Sequence, residues 1–120
     1  MPIGVLESIQ LLQPAIDREA DVSIEWVLTN IRQGRFQLWK GDGSAIVTNV
    51  ADAGNGKHLV WLFAGGDLQE ITKELKPQIE TWAKSIGCQR ASMTARVGWS
   101  KVLKDYKKRE QVVLVKEFYG

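Results

Sequence analysis

Apolar positions change period twice along this chain. Ile9, Leu12 and Ile16, joined by Val5 or Leu6, recur at helical spacing, and Pro14 should kink or end that helix early. A second helical stripe follows at Ile24, Val27, Leu28 and Ile31, with Asp21 placed to cap its start and Gly34 to stop it. The period then shortens. Arg35–Trp39, Ala45–Ala51 and His58–Phe63 read as three strands joined by Gly41-Asp42-Gly43 and Gly54-Asn55-Gly56, short turns that demand antiparallel neighbours. The third run is apolar without alternation, which predicts a central strand covered on both faces.

After Gly65-Gly66 the helical period returns. Leu68, Ile71, Leu75, Ile79, Trp82 and Ile86 form one face, Asp67 and Glu70 suit a loose capping box, and Gly87 ends the run. Pro77 inside it predicts a kink. Cys88–Thr94 reads as a strand, residues 99–106 as a short helix and Gln111–Phe118 as a closing strand. The order α-α-β-β-β-α-β-α-β describes one α+β domain over residues 1–120: an antiparallel meander followed by one parallel β-α-β crossover.

Composition narrows the function classes. At 120 residues, 44% hydrophobic and 25% charged, the chain suits a single globular domain. One cysteine and one histidine leave no disulfide framework, and no metal site is expected. No apolar run approaches a membrane span, and the first ten residues lack the charged start of a signal peptide, so a reducing cytoplasm is the expected location. The net charge of +2 is unevenly placed. Residues 1–30 hold one base against five acids, and residues 96–120 hold seven bases against three acids. That basic end is either a solvated face or a receiver of anions. No paired stacking aromatics or recognition helix accompany it, which argues against nucleic acid.

The stretch Trp82-Ala83-Lys84-Ser85-Ile86-Gly87-Cys88-Gln89-Arg90 resembles the helix end and strand start of the GNAT acetyltransferase superfamily. Gly98-Trp99-Ser100-Lys101-Val102-Leu103-Lys104-Asp105-Tyr106, followed by Val112–Lys116, is similar to that family's last helix and strand. Arg96-x-Gly98-Trp99 and the short length look most like small GNAT-like proteins of bacteriophages. The resemblance covers residues 22–118 and implies a GNAT-like mixed sheet in which Leu59–Ala64 splays from Cys88–Thr94. It also implies acetyl-CoA as cofactor. The backbone of Leu62, Phe63 and Ala64 would pair with the pantetheine amides, amides of Gly65, Gly66, Asp67 and Leu68 would receive the pyrophosphate, and Arg96 or Lys101 would neutralise phosphate.

Two departures weaken that chemistry. The loop Ala64-Gly65-Gly66-Asp67-Leu68-Gln69 lacks the family's Gly-x-Gly spacing and puts an aspartate where phosphate would sit. Leu103 falls where many members carry a tyrosine acid, and Tyr106 lies near the helix end, better placed for packing. Asp67, Glu70 and Tyr106 are the catalytic candidates that remain; helix capping accounts for both carboxylates without catalysis. His58 falls at the far end of its strand from the expected cleft, and Cys88, after a helix C-terminus, suits a core thiol. Of five tryptophans, Trp61 and Trp82 should be buried, while Trp39 and Trp99 suit a partner surface.

The expectation is a phage-encoded GNAT-like protein with weak or lost acetyl-CoA chemistry. It would bind a host or virion protein through the basic last helix and Trp39/Trp99, in the host cytoplasm or in the virion. The alternative is an active N-acetyltransferase moving acetyl from acetyl-CoA to an amine. A homodimer through the last strand is compatible with both.

Overall fold

The computed structural model describes residues 2–19, 22–52, 54, 56–93, 105, 106 and 116. Helices α1 (Val5–Asp17) and α2 (Ile24–Arg32) precede three strands, β1 (Phe36–Lys40), β2 (Ser44–Asp52) and β3 (Lys57–Gly66). A short helix α3 (Leu68–Glu70), a π-helical turn (Ile71–Leu75) and helix α4 (Lys76–Ser85) then lead into β4 (Cys88–Met93). The sheet order is β1-β2-β3-β4, with antiparallel β1/β2 and β2/β3 pairs and a parallel β3/β4 pair. This is the mixed α+β sheet that the change of period predicts. Apart from residues 105, 106 and 116, the predicted last helix and strand, with Trp99, fall outside the described residues, as do Arg96 and Lys101.

The sheet carries a core on each face. Leu12 and Ile16 of α1 and Val27 of α2 pack on Phe36, Ala45, Val47 and Phe63. Ile71, Leu75, Ile79 and Ala83 pack on Ile46, Leu59 and Trp61 from the other side. The first five residues of β2 are buried without a break, as an inner strand between two layers requires.

Local chemistry differs from expectation at four points. Helix α2 is capped by Ser23, whose hydroxyl accepts from the Trp26 amide at 3.2 Å; Asp21 lies outside the described residues. Its end keeps the expected stop, a Schellman motif in which Gly34 at φ +77° gives its N–H to Ile31 and Arg35 gives its own to Asn30. Helix α1 runs through Pro14, and the carbonyl of Gln10 that loses its partner lies on an exposed stretch where water can replace it.

The long crossover helix changes most. Its buried positions are 71, 75, 79 and 83, three successive four-residue steps that overrun a 3.6-residue repeat. The π turn, closed by the Lys76 amide on the Ile71 carbonyl, takes up the excess and leaves Pro77 in the first turn of α4, where a proline is tolerated. Ala83 therefore reaches the core. Trp82 is half-buried beside it, edge-on to Trp39 with ring centroids 5.3 Å apart, rather than buried as its spacing predicts.

Candidate functional site

The place to look is the second half of β3, beyond its last pairing with a described residue of β4. The β3/β4 ladder runs from Lys57↔Cys88 to Trp61↔Met93, and no described residue pairs with Leu62–Gly66 on that edge. The other edge of the same segment stays bonded to β2, through Ile46↔Ala64, Ala45↔Gly65 and Ser44↔Gly66.

A β-bulge sits just past Trp61, the last β3 residue paired with a described residue of β4. Val47 faces Phe63 and Thr48 faces Trp61, so Leu62 is an extra residue in β3. Trp61 and Ala64 belong to the α4 face, whereas the adjacent Leu62 and Phe63 both join the α1/α2 face. The missing alternation in His58–Phe63 therefore has two causes: burial on both faces and one inserted residue.

The glycines that follow serve close packing. A side chain on Gly65 would collide with the backbone carbonyl of Leu11, where α1 crosses the strand. Gly66 has φ +101°, and a Cβ there would collide with the backbone of Gly43 and Ser44 in the β1–β2 turn.

Asp67 then caps α3. Its Oδ1 accepts from the amides of Gln69 at 2.9 Å and Glu70 at 3.4 Å. Its own N–H is given to the Gly43 carbonyl at 3.0 Å. Glu70 does not close a capping box, because the amide it would accept from is already bonded to Gly43. Its carboxylate turns instead to the β1–β2 turn and accepts from the Asp42 amide at 2.8 Å, the Gly43 amide at 3.0 Å and the Ser44 hydroxyl. The Ser44 hydroxyl, then the Gly43 amide, hold the Glu70 carboxyl below its ordinary range.

That depressed value has a consequence for acid stability. The contact stabilises the fold above the carboxyl's unfolded pKa and is lost as pH falls through its folded pKa. Glu70→Gln should therefore flatten the acid limb of a denaturant-midpoint profile below about pH 5. An unchanged slope there would show that this carboxylate is not coupled to folding.

Tyr106 lies on the α4 side of the sheet. Its hydroxyl donates to Glu80 Oε2 at 2.8 Å and accepts from Trp61 Nε1 at 3.1 Å. Burial, reinforced by the bond to Glu80, pushes the phenol pKa well up. Lys76 closes the cluster, bonding Asp105 at 2.7 Å, lying 3.8 Å from Glu80 and standing over the Tyr106 ring at 5.7 Å. The phenol is held as a neutral clamp between β3, α4 and the segment after β4. Tyr106→Phe should cost about 1–3 kcal/mol by leaving an indole N–H without its acceptor, measured by chemical denaturation. A cost near zero would mean that water replaces the hydroxyl.

The remaining candidates are dispersed. Half-buried His58 sits at the opposite end of β3 from Gly66, its Nε2 without a hydrogen-bond partner among the described residues. Cys88 is half-buried at the start of β4. Trp39 is half-buried, its indole N–H given to Thr48 at 2.9 Å. Among the described residues no group of acidic, histidine or cysteine side chains could hold a metal, and no helix is long and apolar enough to cross a membrane. The structure thus brings Leu62–Leu68 and Glu70 to one end of β3 and places Tyr106 separately, beneath Trp61. The Glu70-to-turn contact spans 26 to 28 positions and has no sequence signal. The bulge had one, in two adjacent large apolar residues.

No protein-family model matches the chain, and no curated protein matches it. Among solved structures, the wild-type protein TTHA1254 from Thermus thermophilus superimposes with a TM-score of 0.60 at 13% identity, covering 100% of this chain and 97% of that one. A single-substitution mutant of the same protein gives 0.59 at 12% identity, with 100% and 96% covered. At these identities the likeness establishes a shared fold.

Proposed function

We propose that this chain is a GNAT-like protein that has lost acetyl-CoA chemistry and acts by binding a protein partner. In this reading it is phage-encoded and meets a host or virion protein in the host cytoplasm or the particle. The observation that carries the reading is Asp67. A helix N-terminus binds an anion through its free amides. Here the Gln69 and Glu70 amides are bonded to the Asp67 carboxylate and the Asp67 amide to Gly43. A pyrophosphate would have to displace an internal carboxylate while facing a second one at Glu70. Exposed apolar side chains support a docking role. Val5, Leu6 and Leu68 are exposed, and the nearby Ile3 and Asp67 amides are hydrogen-bonded to the β1–β2 turn.

One observation favours the alternative, an N-acetyltransferase. The bulge at Leu62, and the edge of Leu62–Ala64 that no described residue pairs, offer backbone groups to an extended ligand such as pantetheine. Glu70 is engaged through both carboxylate oxygens and Asp67 through Oδ1, which leaves Asp67 Oδ2 as the only nearby carboxylate oxygen of these two without a bond among the described residues.

A thermal-shift titration separates the two readings. Ligand at about 100 times its Kd adds about 2.7 kcal/mol, a shift of several degrees for a chain of this size. Acetyl-CoA is expected to leave the melting temperature unchanged. A saturable rise, with thiol released when an amine is added, would overturn the binding-protein reading.

A further inference from the structure

A groove of about 580 Å³ lies on the α1/α2 face of the sheet, away from the end of β3 just described. That volume is in the range of small-molecule sites, roughly 300–1,000 Å³. Trp26, Phe36, Val50 and the bulge residue Leu62 give it apolar walls. Trp26 is 50% exposed although it sits on an amphipathic helix, and it stands edge-on to Phe36 with centroids 5.3 Å apart at 80°. Asn30, 5% exposed, lines the groove with its Nδ2 tied to the Trp26 carbonyl at 2.9 Å, which fixes the helix end that forms one wall.

The charge on the rim points to the ligand. Arg35 follows the Schellman turn at Gly34 directly, so its backbone is held by the Asn30 carbonyl at 2.9 Å. Its guanidinium makes no ion pair among the described residues, and no described carboxylate lines the groove. Asn49 adds an amide on the β2 side. An apolar slot with an exposed arginine at its edge matches a flat apolar group carrying a single anion.

We propose that this groove binds a small aromatic carboxylate, its ring between Trp26, Phe36 and Leu62 and its carboxylate on Arg35. The site is independent of the fate of acetyl-CoA, since it shares with the end of β3 only Leu62.

The test is a titration of the isotope-labelled chain with 3-phenylpropionate, followed by NMR, with 3-phenylpropionamide and acetate as comparators. The expected result is a saturable shift of the Trp26 indole and of the Arg35–Gln37 amides, with a Kd on the order of 1 mM. Arg35→Gln, an exposed change that leaves the fold intact, should weaken binding at least about tenfold. Trp26→Ala should do the same, while the neutral amide and acetate should bind more weakly than the acid. The proposal fails if the acid does not saturate, if the amide binds as well as the acid, or if Arg35→Gln binds as tightly as the unmodified chain. A peptide ending in phenylalanine that binds about tenfold tighter than the acid would also overturn it, by making the occupant a protein C-terminus.

Discussion

Trp61→Ala should cost about 3–5 kcal/mol and come close to unfolding the chain. Three features of the site converge on that value. The side chain is 2% exposed, at the centre of the cluster made by Ile46, Leu59, Ile71, Leu75 and Ile79. Truncation leaves a cavity between β3 and the crossover helix that neither can close, because β3 is an inner strand bonded on both sides at that position. It also removes the donor to the Tyr106 hydroxyl, so the clamp on the segment after β4 loses one of its two bonds. Urea denaturation measures the loss. A cost below about 1 kcal/mol would place Trp61 outside the core.

Gly65→Ala should cost about 3 kcal/mol, the upper end of overpacking penalties. One methyl group is enough because its neighbour would be the Leu11 carbonyl, a backbone atom inside a helix that cannot turn aside as a side chain can. Relief requires α1 to lift from the sheet, which would uncover Leu12 and Ile16, at 2% and 1% exposure. Gly43→Ala is the matched control. A Cβ there meets nothing within 4 Å, so its denaturation midpoint should barely move. Equal effects at the two positions would show that α1 does not press on β3.

Features that depend on neighbouring residues were readable in the sequence. Gly34 ends α2 because a left-handed residue is needed there, and the glycine-rich turns do set up the antiparallel meander. The long stripe from residue 68 correctly implies a crossover and hence a parallel β3/β4 pair. What was not readable depends on distant packing. Helical spacing nominates Trp82 for the core, but the π turn rotates Ala83 into that place. A glycine pair after a strand suggests a phosphate loop, yet the reason for Gly65 is a helix more than fifty residues earlier in the chain. Glu70 suggests a capping box, and only the fold reveals that the β1–β2 turn stands within its reach. Element boundaries were thus more legible along the chain than the long-range hydrogen-bond partners of Asp67 and Glu70.

The self-filled helix end is the centre of this account, and an acetyl-CoA titration followed at the amides of residues 62–70 tests it most directly. With the Gln69 and Glu70 amides held by Asp67, those resonances should stay unshifted across the whole titration. Saturable shifts at Gln69 and Glu70, together with Leu62–Ala64, would mean that the cofactor displaces the Asp67 carboxylate and lies along the Leu62–Ala64 segment of β3, and would contradict it.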